Sequence, residues 1–226
     1  MVYQFKLAAE KLDSQRAAVL KLPQIILVLN SAMITLVVQK YGGARTNLGF
    51  ETTQKRKREL QKLIEPFGSI TAPEKVEKGY CFNMNTLDPK VLYITRVQFR
   101  AIKNGCTAIC SGIDNQSDDL NLVTNSSNRE SNFEWREIIY RQAKDLMIAD
   151  VDDFKVTEAL VEYLRYPKPM DIAGYTHFDG SASSNIDCEL PEEMRHEIVD
   201  YAAYKSDIWR RSPEVQFSAS QLGNTE

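Results

Sequence analysis

Two histidines, four cysteines and a few clusters of charge are the residues of this 226-residue chain that could do chemistry. His177 sits in the Gly/Ser-rich stretch GYTHFDGSASSN and His196 on the polar side of LPEEMRHEIVDYAAYKSDIW. Neither has a sequence-local Cys, Ser or Asp at the spacing of a triad or a metal site, so both read as exposed polar residues. Cys106 and Cys110, in CTAIC, fall on one face of a strand and lack the paired C-x-x-C form of a zinc knuckle. They read as buried structural cysteines. DVDD, residues 150–153, groups carboxylates as a calcium loop does, but the alternating oxygen ligands, central Gly and closing Glu of an EF-hand are missing. Phe154, Lys155 and Val156 follow at once, which makes the cluster a turn leading into a strand.

The basic run KRKRE, Lys55 to Glu59, could touch phosphates. On a helix its members spread around the circumference, and Glu51 and Glu59 stand four residues either side of Lys55, so it reads as a solvated, ion-paired face. No glycine-rich phosphate loop, G-x-S-x-G elbow or H-E-x-x-H pair occurs. The residues point to no catalytic group, no cofactor and no metal, and hence to no enzyme. Trp209 followed by Arg210 and Arg211 is different, because an aromatic beside two arginines at the end of an amphipathic helix has the composition of an interface anchor. A Trp that caps its own domain core is the rival reading, and both stand.

With 28 basic against 31 acidic residues and a net charge of −3, the chain lacks the positive field with which non-specific binders displace counterions from DNA. Four cysteines, Cys81, Cys106, Cys110 and Cys188, are too few for a disulfide framework and suit a reducing cytoplasm. The opening MVYQFKLAAEKLDSQ has charges where a signal peptide needs an apolar core, so a soluble protein is expected.

The elements that must position these residues begin with QIILVLNSAMITLVVQ, residues 24–39, which has no charge. It is too short for a comfortable bilayer span and is interrupted by Asn30, Ser31 and Thr35, so no membrane is expected. Its length, Pro23 at the start and YGG at the end predict a helix. Ile25, Ile26, Leu29, Ala32, Met33, Leu36 and Val37 form one broad apolar stripe, and Leu27, Ile34 and Val38 a second. The helix should therefore be covered on two sides. LGFETTQKRKRELQKLIEPF, residues 48–67, reads as a second long helix pairing antiparallel with the first. FKLAAEKLDSQRAAVL, before them, is either a short helix or a helical turn followed by an extended arm.

From Gly68 the pattern changes. GYCFNM, VLYITRVQFRAI, CTAICSGI, FEWREIIYRQ, KDLMIADV and FKVTEALVEYLRYP are short β-branched and aromatic runs between Asp, Asn, Gly and Pro. DDLNLVTNSSNRES interrupts them as a long polar connection. LPEEMRHEIVDYAAYKSDIW closes the pattern with an amphipathic helix, Pro191, Glu192 and Glu193 suiting its first turn. The fold class expected is α+β: an antiparallel helical hairpin or bundle with a β-rich middle region and a C-terminal amphipathic helix. The expected division is a helical hairpin region over 1–67, a β-rich region over 68–170, a loop plus C-terminal helix rejoining the helical part over 171–211, and a flexible or partner-ordered tail over 212–226.

The order of several short motifs resembles the head-to-tail connector, or ring, proteins of the crAss-like short-tailed phages of Bacteroidetes. The motifs are KLDSQ (11–15), LNSAMITLVVQKYGG followed by FETTQKRKRELQKLI, then SDDLNLV, VEYLRYPKP and CELPEEMRHEIVDYAAYK, spread from about residue 5 to about residue 209. That resemblance implies an adaptor, assembled in the host cytoplasm, that docks beneath the portal vertex of the virion as a dodecameric ring. It would extend the channel through which the genome leaves, letting DNA pass without sequence-specific binding. In a ring each subunit offers two different surfaces to its neighbours, so Leu27, Ile34 and Val38 become candidates for the subunit interface. The rival for this stripe is burial between the hairpin partner and the β-rich region. Trp209, Arg210, Arg211 and Phe217 are candidates for docking to the portal or an adjacent ring. An internal scaffold or cargo protein associated with packaged DNA is the alternative; it needs a concentrated basic surface, for which only the helix over 55–62 qualifies.

Overall fold

Pro66 ends the helix expected over 48–67 earlier than the apolar spacing suggests. Proline lacks the N–H that a helix interior needs and drives the residue before it into extended backbone. The chain is helical to Leu60, makes a 3-10 turn over Gln61–Leu63 and enters strand β1, Ile64–Thr71. The computed structural model describes residues 1–12, 20–42, 55, 58–71, 73–115, 130–177 and 180–211, the side chains of 10–12 and 207–211 excepted. Its architecture corrects the expected helical hairpin or bundle with a β-rich middle: most of it is a curled, mixed eight-stranded sheet, with only ~33% of the chain helical.

The chain forms two compact units, Met1–Lys62 with Pro167–Glu226, and Leu63–Tyr166. The second holds the sheet. After β1 come β2 (Glu74–Val76), β3 (Gly79–Asn83), β4 (Val91–Lys103), β5 (Cys106–Asp114), β6 (Glu137–Ala143), β7 (Leu146–Asp150) and β8 (Lys155–Arg165). Their order across the sheet is β1-β8-β4-β5-β6-β7-β3-β2, and only β5 and β6 pair in parallel. Two-residue alternation sends Val97, Phe99 and Ala101 of β4, and Ala159, Val161 and Tyr163 of β8, into one core with Phe82, Ile138, Tyr140 and Met147. Register shifts interrupt β1 between Glu65 and Gly68 and β4 at three points along its pairing with β8. Such bulges add local twist, which accounts for the curl of the sheet into a half-barrel.

Two glycines let the layers of the sheet approach closely. A Cβ on Gly112 would stand 3.0–3.1 Å from Val97, Phe99 and Tyr140, so its bare backbone makes room for the Phe99–Tyr140 edge-to-face contact. Gly79 has φ +125°, and a Cβ there would lie 1.9 Å from the Ala149 carbonyl oxygen, so β3 meets β7 only with glycine at that point.

The other unit includes, among the described residues, the long helices α1 (Val2–Leu12), α2 (Leu22–Gly42) and α3 (Glu192–Arg211). α3 packs against both α1 and α2. The expected helical hairpin of 24–39 with 48–67 is corrected in that residues 61–67 make a 3-10 turn and a strand, and among the described residues α2 lies against the C-terminal helix, whose Met194, Ile198, Val199, Ala202 and Ala203 are buried. That row is a longer apolar face than one interrupted by Lys55, Arg58 and Glu59. Residues 43–54 and 116–129, the latter holding most of the polar connection expected over 118–131, lie outside the described residues.

Candidate interaction face

The positions of α2 divide cleanly around its axis. Ile25, Ile26, Val28, Leu29, Ala32, Met33, Leu36 and Val37 are buried. On the opposite side Leu27 is 68% exposed and Ile34 39%, with Tyr41 exposed and Val38 half-buried in the same row. All three residues expected at a subunit interface, Leu27, Ile34 and Val38, therefore sit on one outward face. An apolar side chain left in water forgoes the ~1.5–3 kcal/mol that full burial of a Leu or Ile returns, so a row of them on one helix is costly unless something covers it.

The polar residues of α2 are used rather than left over. Asn30 clamps the backbone of Met170: its Nδ2 donates to the Met170 carbonyl at 3.0 Å and its Oδ1 accepts from the Met170 N–H at 2.8 Å. Thr35 Oγ1 donates back to the Ser31 carbonyl at 2.8 Å, and Lys205 Nζ of α3 donates to Ser31 Oγ at 2.9 Å. At 21 residues and a mean hydropathy of 1.7 over its most apolar window, α2 is long and apolar enough to cross a membrane. Within its unit it is bonded to Met170 and to the Lys205 ammonium.

The end of α2 is anchored by charge. Lys40 Nζ lies 3.1 Å from Glu59 Oε2 and 2.8 Å from Glu197 Oε2, and Lys55 Nζ is 3.6 Å from Glu59 Oε1. Burial works to lower the Lys40 pKa, but its bonds to Glu197 and Glu59 outweigh that and leave it raised. Glu59 itself is 2% exposed, so the expectation of a wholly solvated face over 55–59 is corrected: its carboxylate turns inward to meet Lys40.

His177, read as an exposed polar residue, belongs to a constellation built on Asp171. The buried Asp171 carboxylate accepts from Tyr175 Oη at 2.6 Å, Ser184 N at 2.8 Å, Ile172 N at 2.9 Å and pairs with His177 Nε2 at 3.1 Å. The Tyr175 hydroxyl and the Ser184 amide, ahead of the other two donors, hold Asp171 down at about 2, while the same bond to Asp171 pushes Tyr175 up to about 12. An Asp–His pair can orient a general base. Here the carboxylate is saturated with donors, and among the described residues no nucleophilic side chain is bonded to the ring. Bridges pairing Asp171 with Ile186 and Thr176 with Ala182 close the loop around it, so the cluster works as a staple. Asp171 was not singled out in the sequence, because its partners follow at no spacing that marks a motif.

The remaining candidates are scattered. His196 is exposed on α3. Cys110 is buried, and burial raises its pKa, but Cys106 is exposed; the expectation that both are buried is corrected, since Cys106 starts β5 beside the Asn104–Gly105 turn, beyond the reach of the core. Asp150 ends β7, and residues 152–154 bend into β8. Trp209, Arg210 and Arg211 form the last turn of α3, their side chains outside the described residues, as is Phe217. Among the described residues no group of three or more His, Cys, Asp or Glu converges to hold a metal ion. No protein-family model matches the chain, and no curated protein matches it.

Proposed function

We propose that the protein is a non-enzymatic structural subunit that assembles with copies of itself, as a ring in the head-to-tail connector of a short-tailed phage. The observation that supports this reading best is the outward row on α2, Leu27, Ile34 and Tyr41, standing exposed opposite a completely formed core stripe. A helix that already satisfies its own unit on one side and keeps an apolar row on the other is suited to a neighbour. The motif order that resembles connector proteins supplies the setting: a ring beneath the portal, docked to it or to an adjacent ring, with DNA passing through and no membrane involved. A net charge of −3 suits a channel that DNA must slide through. The scaffold alternative draws less support, because Lys55 of its basic run is engaged with Glu59.

Multi-angle light scattering and negative-stain electron microscopy of the purified full chain, alone and with its portal, test the reading. Closed rings of uniform size are the expected result. A monodisperse monomer under both conditions, together with absence of the chain from purified particles by mass spectrometry, would end it.

A further inference from the structure

The hairpin of β4 and β5 turns on Asn104 and Gly105, the one Asn-Gly pair in the chain. Lys103 pairs with Cys106 across it, so the loop has two residues, and both are left-handed, with φ +51° at Asn104 and +80° at Gly105. A two-residue loop that continues the twist of its strands needs positive φ at both positions, which is why Asn followed by Gly stands there. The fold thus demands a chemically labile pair at an exposed apex.

An asparagine side chain can be attacked by the backbone nitrogen of the residue after it. The attack needs an unhindered nitrogen, a side-chain amide free to turn towards it, and water to finish the reaction. Asn104 meets these conditions: Gly105 has no side chain, a Cβ built on it would meet nothing within 4 Å, and both residues are exposed. Other described asparagines are held back. Asn30 spends its amide on the Met170 backbone, and the nitrogen after it lies inside α2. Asn83 and Asn132 accept from backbone amides two and three residues on, and the Met84 N–H that follows Asn83 donates to the Asp145 carbonyl at 2.8 Å. Asn185 Oδ1 accepts from Ala173, while the Ile186 N–H donates to the Asp171 carbonyl at 3.0 Å. Each of these four is also followed by a residue that carries a side chain.

We infer that Asn104 is a site of spontaneous deamidation, through which the folded protein acquires aspartate or iso-aspartate in the turn between β4 and β5. The Gly105 nitrogen gives its proton to hydroxide and bonds to Asn104 Cγ. The Cγ–Nδ2 bond breaks, and the departing nitrogen takes a proton from water and leaves as ammonia, closing a succinimide ring. Water then opens the ring at either carbonyl: release of the Gly105 nitrogen from Cγ gives aspartate, and release from the main-chain carbonyl carbon gives iso-aspartate. Either product replaces a neutral amide by a carboxylate and takes the net charge of −3 down by one. Iso-aspartate also adds an atom to the backbone of a loop whose length sets the register, so the Lys103–Cys106 pair cannot be kept as it stands.

Ageing the full chain in mildly alkaline buffer, followed by peptide mapping with tandem mass spectrometry, tests the inference, with the urea-unfolded chain as control. A gain of one dalton is expected at Asn104 several-fold faster than at Asn30, Asn83, Asn132 or Asn185, at a rate that rises in proportion to hydroxide. Labelling by protein isoaspartyl methyltransferase is expected on the same peptide. No gain at Asn104 in the folded chain, while the unfolded chain acquires it, would overturn the inference, since the turn would then be holding the amide away from its attacker. An earlier gain at one of the other four would overturn it as well. Asn104→Asp carries the added charge on an unaltered backbone, so the aged fraction enriched in iso-aspartate is expected to unfold at lower urea than that variant, and equal midpoints would overturn the loss of register.

Discussion

Replacing Leu27 and Ile34 together by glutamine separates an assembly face from a core. Leu27 is 68% exposed and Ile34 39%, so their substitution removes apolar area that the folded monomer already leaves in water. Scaling the ~1.5–3 kcal/mol of a fully buried side chain by these exposures gives about 1–2 kcal/mol for Leu27 and about 0.6–1.2 for Ile34. The pair therefore contributes about 2–3 kcal/mol to a contact that covers it, a loss of about 30- to 150-fold in association constant. Monomer stability should stay within about 0.5 kcal/mol, because surface substitutions away from caps and cores rarely exceed that. Met33→Gln, one residue from Ile34 but fully buried, should behave in the opposite way and cost several kcal/mol of stability, on the order of 3. Sedimentation velocity over a dilution series reads the association, and urea unfolding reads the stability. An unchanged association constant in the double variant would refute the reasoning, and so would a collapse of its unfolding midpoint.

Three further outcomes follow from the site geometry. Lys40→Met leaves the buried Glu59 with only the longer Lys55 contact, and should cost about 2–3 kcal/mol in urea unfolding, below the usual loss for a broken buried pair because Lys55 remains; adding Glu59→Leu should restore most of it. With the Lys40 pKa raised above 10.5, its contribution is complete below that pH and fades as pH rises through the higher folded value. Asn30→Leu strands the N–H and carbonyl of Met170 and should cost about 2–3 kcal/mol by the same assay. In the Asp171 staple, the depressed carboxyl contributes fully above its ordinary 3.8 and loses its effect as pH falls through about 2, while Tyr175 holds its proton, and its share of the stability, until pH rises through about 12. A difference absorbance titration against Tyr175→Phe should place that tyrosine near 12, and a midpoint near 10 would remove the bond from the account.

Periodicity reveals whatever local pattern decides. β8, Lys155–Arg165, lies within FKVTEALVEYLRYP because strict alternation and a closing proline need no partner to be recognised. α2 and its two apolar stripes are equally visible, since the angle between residues on a helix is set by geometry alone. The helix expected to run through Ile64 and Glu65 is the counter-example: leucine and lysine spacing favoured it, and Pro66 with the bulge beside it favoured β1. The Asp171 staple was invisible because its four donors are drawn from 172–184 by a loop whose path no spacing encodes.

From residue types and their intervals alone come the uncharged helix with two apolar sides and the β-rich stretch after Gly68. These depend on contacts a few residues apart. Tertiary structure decided that α3 lies along α2, that Glu59 turns inward to Lys40, and that Leu27 and Ile34 face outward. Which of two apolar stripes is covered depends on the competition among distant faces for the same buried area, and no local pattern holds the outcome of that competition.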